Sequence, residues 1–169
     1  MNKQHFNPRE LLTLAARIEK NGWDYYTRMA KVSQNGRVRK VFELLAEAEI
    51  QHGKDFQRIE TTLATTDLEV PDEYLSPEIA GYLQSLADGS VYPSLASVDE
   101  IAAEIHSDED AVRHAISFEK DTIVFFHEFH DLLPADSPDR AVILELIRQE
   151  KIHIAKLYTL MGELRQSHA

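Results

Sequence analysis

Apolar side chains recur at intervals of three and four residues along four stretches of the chain, the pattern of helices that bury one face. In the second stretch Val41, Leu45, Phe56 and Ile59 keep these spacings or their sums. Capping chemistry sets the boundaries. Asn7-Pro8-Arg9-Glu10 offers a cap, a residue suited to the first helical position and a glutamate able to bond back, which predicts a first helix from Pro8 to about Val32. Gly36 ends the next turn, and a second helix is expected from about Arg37 to Leu63. Ser107-Asp108-Glu109-Asp110 opens a third that reaches Leu133. The turn Pro134-Ala135-Asp136-Ser137-Pro138 then caps a fourth running to about Arg165. Both hairpin turns are short, so helices one and two, and three and four, are expected to be antiparallel neighbours.

The middle of the chain lacks this regularity. Between Thr65 and His106 lie Pro71, Pro77, Gly81, Gly89 and Pro93, with weak helical stretches at Pro77 to Ala87 and Val98 to His106. Such a length exceeds what a tight turn needs and suits a connection that travels along a bundle, leaving helices two and three parallel. The expected fold is an all-α four-helix bundle with one long crossover containing short helices. It forms a single domain over residues 1–169, with hairpins at about 8–63 and 108–165 and the crossover at 65–106.

Some polar positions break the apolar stripes in a regular way. Glu19, Tyr26, Glu49 and His52 match Glu119, Phe126, Glu150 and His153 at offsets of 100, 100, 101 and 101, an internal repeat of the two hairpins. Each glutamate sits where a leucine would be expected. Glu49 is flanked at helical spacing by Leu45 and Phe56, Glu150 by Leu146 and Leu157, Glu19 by Ala15 and Tyr26, and Glu119 by Ala115 and Phe126.

Withdrawing a carboxylate from water without a partner costs several kcal/mol. Four such costs would consume most of a typical stability of about 5–15 kcal/mol. No basic residue shares these stripes, whereas two divalent cations would supply the four positive charges needed. Each Glu-x-x-His pair, Glu49/His52 and Glu150/His153, presents a carboxylate and an imidazole from one helical face. A single such pair is commonly no more than a solvated face. Two pairs with two further glutamates form the donor set of two-metal carboxylate bundles. The predicted ligands are therefore Glu19, Glu49, His52, Glu119, Glu150 and His153. The alternative is a metal-free bundle in which the acids are protonated or paired with arginine.

Composition narrows the chemistry. With no cysteine, the chain offers no disulfide, iron–sulfur cluster, thiolate zinc site or thiol nucleophile. Its 29 acidic and 18 basic residues give a formal charge of −11, which disfavours nucleic acid and anionic membranes as partners and mildly concentrates cations. The N-terminal residues lack an apolar signal core and no run is long enough to span a bilayer, so a cytoplasmic location is expected. His127, His130 and Asp131 could form a surface metal site, although a solvated helix end is the simpler reading.

The two hairpins, over Pro8 to Leu63 and Asp108 to Arg165, resemble the ferritin-like superfamily and most closely its rubrerythrin-like di-iron proteins. Ala46-Glu47-Ala48-Glu49-Ile50-Gln51-His52 is especially similar to that family's second-helix motif, with Glu150-Lys151-Ile152-His153 as the matching fourth-helix segment. The resemblance implies two irons, with Glu49 and Glu150 bridging, Glu19 and Glu119 terminal, and His52 and His153 each on one metal. It also implies oxidation of Fe(II) and reduction of O2 or H2O2, in iron handling and defence against oxidative stress. A homodimer is expected on the same ground.

This chain departs from the family's pattern in three ways. It lacks the four cysteines of a rubredoxin-type site, which implies an external electron donor. Thr122 occupies the place of a further glutamate, and Phe126 stands where the first half has Tyr26, the ring hydroxyl that could orient a ligand or quench a radical. Other readings are an iron-storage ferroxidase, a non-catalytic metal-binding bundle loaded with manganese or zinc, and an oxygenase with an apolar substrate pocket.

Overall fold

Asn35 turns the chain from the first long helix into the second: its side-chain Oδ1 accepts from the backbone N–H groups of Arg37 at 2.9 Å and Val38 at 3.3 Å. Such a cap satisfies donors that a helix start leaves without partners. The computed structural model describes residues 8–63, 76–85, 98, 102–103 and 105–167. The helices are α1 (Pro8–Val32), α2 (Gly36–Leu63), α3 (Pro77–Ser85), α4 (Asp108–Leu132) and α5 (Asp139–Ser167), and no strand occurs among the described residues. The turn before α2 therefore ends at Asn35 rather than Gly36, because the amide caps and Gly36 is already helical. The proposed cap at Asn7 lies outside the described residues, as do residues 65–75, 86–97, 99–101 and 104 of the expected crossover. Of the two short helices expected there, α3 covers most of the first, and Val98, Ala102 and Ala103 are helical within the second.

Ser107 caps α4 by accepting from the N–H of Asp110, as its sequence implies. The other end of α4 is held from α5. Arg140 donates to the carbonyls of His130 at 3.0 Å and Leu133 at 2.8 Å, while His130 Nδ1 lies 2.8 Å from Asp131. His130 and Asp131 thus belong to a helix end, and no metal-binding group including them or His127 appears among the described residues.

α1 packs on α2 and α4 on α5, with α2 against α5 and α1 against α4. Directions follow from side-chain pairs. Arg37 and His52 of α2 meet Glu163 and Gln149 of α5, so these helices are antiparallel. Tyr25 of α1 makes edge contacts with both Phe42 of α2 and Phe118 of α4, and Phe56 packs on Phe126 and Phe129. The order 42 then 56 along α2 thus matches 118 then 126–129 along α4, and α2 and α4 run parallel. A hairpin, a crossover and a second hairpin joined in this way form the ferritin-like bundle.

Aromatic and branched side chains fill the interior: Tyr25, Tyr26, Phe42, Phe125 and Phe126 have no exposed surface, and Phe56 is buried beside them. Fully burying a side chain of this size contributes roughly 1.5–3 kcal/mol. No helix among the described residues is long and apolar enough to cross a membrane.

Candidate metal centre

Halfway along the bundle the apolar core is replaced by acid and imidazole. Glu19 arrives from α1, Glu49 and His52 from α2, Glu119 from α4, and Glu150 and His153 from α5; none is more than 4 % exposed. All six residues predicted as ligands meet there. Their donor atoms form two groups, Glu19, Glu49, His52 and Glu150, and Glu49, Glu119, Glu150 and His153, each within 4.8 Å. Glu49 and Glu150 are common to both.

The imidazoles face the carboxylates through Nδ1. His52 Nδ1 lies 2.8 Å from Glu150 Oε1, 3.1 Å from Glu19 Oε2 and 3.6 Å from Glu49 Oε2. His153 Nδ1 lies 2.7 Å from Glu150 Oε2 and 3.4 Å from Glu119 Oε1, and the two rings stack 5.5 Å apart. One ring nitrogen carries at most one proton and cannot satisfy several carboxylates. Among the described residues Glu19 Oε1, Glu49 Oε1 and Glu119 Oε2 accordingly have no hydrogen-bond partner although buried. Buried oxygens left in this condition, converging beside two imidazoles, fit a pair of divalent cations.

Protonation follows the same crowding. Burial and the neighbouring Glu49 push the Glu19 carboxyl well above its usual range, and burial with Glu150 does the same to Glu119. Burial opposes a charged imidazole, but Glu19 and Glu150 outweigh it and raise His52. His153 is raised to about 10 by Glu119 and Glu150 against the same burial. Glu150 is held below the usual carboxylate range, because its bonds to His153 and His52 overcome burial. Without metal, these shifts all favour holding protons within the cluster rather than leaving four bare carboxylates together.

Tyr26 donates its hydroxyl to Glu119 Oε1 at 2.6 Å and stacks on Phe42. It therefore both packs the core and orients a carboxylate. Phe126 packs against Phe56 and has no hydroxyl to offer Glu19. Thr122 adds no ligand: its hydroxyl donates to the Phe118 carbonyl at 2.9 Å.

Between α1 and α2 a cleft of about 430 Å³ reaches Glu19 and Glu49, with Lys20, Trp23, Gly53 and Lys54 among its walls. A side chain at Gly53 would enter this space, since its Cβ would stand 4.0 Å from that of Glu19.

The sequence profile of the rubrerythrin family matches residues 10–103, more than half of the chain's 169 residues. The chain belongs to the rubrerythrin family. Its structure is also similar to that of a candidate ferritin-like diiron-carboxylate protein from Thermotoga maritima, at 28 % identity and a TM-score of 0.69, covering 94 % of this chain and 97 % of the other. No protein of curated function matches the sequence. Against the rubrerythrin pattern one further contact stands out that the sequence did not suggest. Gln149 Oε1 lies 2.9 Å from His52 Nε2. Gln149 adjoins Glu150 in sequence but meets a histidine on another helix, and nothing in helical periodicity points to that partner.

Proposed function

We propose that the six residues hold two iron ions and that the protein is a di-iron carboxylate oxidoreductase, oxidising Fe(II) and reducing O2 or H2O2 in iron handling and oxidative-stress defence. The observation that carries this reading is the sharing of Glu49 and Glu150 by both donor groups. Two carboxylates common to two sets of donors suit a pair of ions close enough to share one oxidant. Four carboxylates and two imidazoles favour iron or manganese over zinc, which prefers four nitrogen and sulfur ligands in structural sites.

In this reading Glu49 and Glu150 would be shared by the two ions, Glu19 and Glu119 would each hold one, and His52 and His153 would each hold one through Nδ1. Iron would supply reversible one-electron redox chemistry there. Tyr26 holds Glu119 in a fixed orientation through its 2.6 Å bond. Phe56 and Phe126, buried against each other one turn beyond His52 and two turns beyond Glu119, continue the apolar core next to the centre. The α1–α2 cleft is an approach for a small oxidant, wide enough to reach Glu19 and Glu49. Electrons come from a separate donor, since the chain has no cysteine to hold another iron site. Pairing into a homodimer belongs to the same reading and is checked by mass in solution.

Anaerobic titration of the metal-free protein with Fe(II), followed by admission of O2 or H2O2, tests the function. Two tightly bound irons per chain and a rapid ferric absorbance change are expected, and the faster oxidant identifies the physiological one. Glu49→Ala with Glu150→Ala should abolish both. Iron bound without any oxidant-dependent change would instead leave a metal-binding bundle without turnover.

A further inference from the structure

Gln149 is one link in a hydrogen-bonded series that leads from the centre to the surface. Its Nε2 donates to Glu145 Oε1 at 3.0 Å, and Arg148 holds Glu145 through two contacts at 2.6 and 2.7 Å. With the amide nitrogen committed to Glu145, the amide oxygen is the atom turned to His52, 2.9 Å from Nε2. An amide oxygen can only accept, so Nε2 must carry the proton. In a neutral ring the lone pair is then on Nδ1, the atom that faces Glu19, Glu49 and Glu150.

Among the described residues the second half of the repeat has no equivalent. His153 also turns Nδ1 inward, and the 101-residue offset that pairs it with His52 pairs Gln149 with Ala48. A methyl group cannot accept a hydrogen bond. The His153 side chain is also 5 % exposed where that of His52 is 0 %.

We propose that Gln149 is a positioning residue that makes the two metal positions inequivalent, binding the ion at His52 more tightly than the ion at His153. The inference rests on the two-metal reading and adds an order of affinity within it. Groups that bond the far nitrogen of a metal-bound histidine fix its ring and raise its basicity, and their loss typically costs roughly 10–100-fold in affinity.

Co(II) titration of the metal-free protein, by calorimetry and visible absorbance, provides the test. Two resolved steps are expected for the natural chain. Gln149→Leu should weaken the tighter step by roughly 10–100-fold, bringing the two together. Gln149→Glu, which still accepts from Nε2, should keep them apart. In the Zn(II)-loaded protein the His52 Nε2 proton should give a nuclear magnetic resonance signal protected from exchange with water. That protection should persist in Gln149→Glu and vanish in Gln149→Leu, a difference that general loss of stability would not produce. Two ions bound with equal affinity, or steps indifferent to Gln149→Leu, would overturn this inference while leaving the two-metal reading intact. Failure of the natural chain to bind Co(II) at all would overturn both.

Discussion

Tyr26 and Phe126 occupy matched positions in the two hairpins, yet only Tyr26 reaches a carboxylate. Replacing Tyr26 by Phe should leave two metal ions bound and cost about 1–3 kcal/mol, the penalty for leaving a buried acceptor of this kind unsatisfied. Denaturant unfolding of the metal-free protein would measure it, and an unchanged midpoint would mean that the bond to Glu119 is replaced by another. Residues like these were unequally legible in sequence. The six acids and imidazoles stood out because they interrupt apolar stripes, and burial is costly enough to demand a reason for each. Tyr26 was visible through the repeat, but the acceptor of its hydroxyl was not. Gln149 gave no sign because side-chain partners on separate helices depend on the rotation of one helix against another, which no local pattern records.

Helices were legible wherever a chemical stop coincides with a change in periodicity. Ser107 is such a case, and its observed bond to Asp110 follows from its place before three acids. Asn35 is the contrary one, since the neighbouring Gly36 draws attention as a turn residue while the amide makes the cap. Asn35→Ala should lower stability by about 0.5–2 kcal/mol, while Gly at the same position should cost only a few tenths. Thermal unfolding of both variants would check the order. The fastening of α4 by Arg140 could not be read at all, because it joins carbonyls at the end of one helix to a side chain on the first turn of the next. It is a tertiary contact even though the residues lie close in sequence.

The protons and the metal ions compete for the same atoms, so pH governs the protein as a whole. His153 is raised to about 10 from an ordinary 6.5, and its contribution to the stability of the metal-free protein is complete below about pH 6.5 and lost as pH rises through 10. Glu19 and Glu119, also raised, act in the same direction, because the fold favours their protonated forms. Glu150 is lowered, and its contribution is lost at the acid end, as pH falls below its ordinary 4.5. The melting temperature of the metal-free protein should therefore fall from about pH 6.5 towards pH 10. Metal uptake should release up to four protons for two ions, one each from Glu19, Glu119, His52 and His153. The melting difference between loaded and metal-free protein should consequently widen as pH rises. A difference that is flat in pH, or uptake without proton release in a weakly buffered solution, would show that the metal-free cluster is charged in some other way.

Each donor group takes three residues from one hairpin and one from the other. An ion held in this way is a rivet through the seam between α1–α2 and α4–α5, and there are two rivets side by side. Each ion would tie the two hairpins together, while the α1–α2 cleft reaches Glu19 and Glu49 without opening that seam. The exchange of buried amides on α2 and α5 with deuterium serves as a clock for the opening of the seam. Metal that departs no faster than these amides exchange leaves through the parted seam, and metal that departs faster leaves through the cleft.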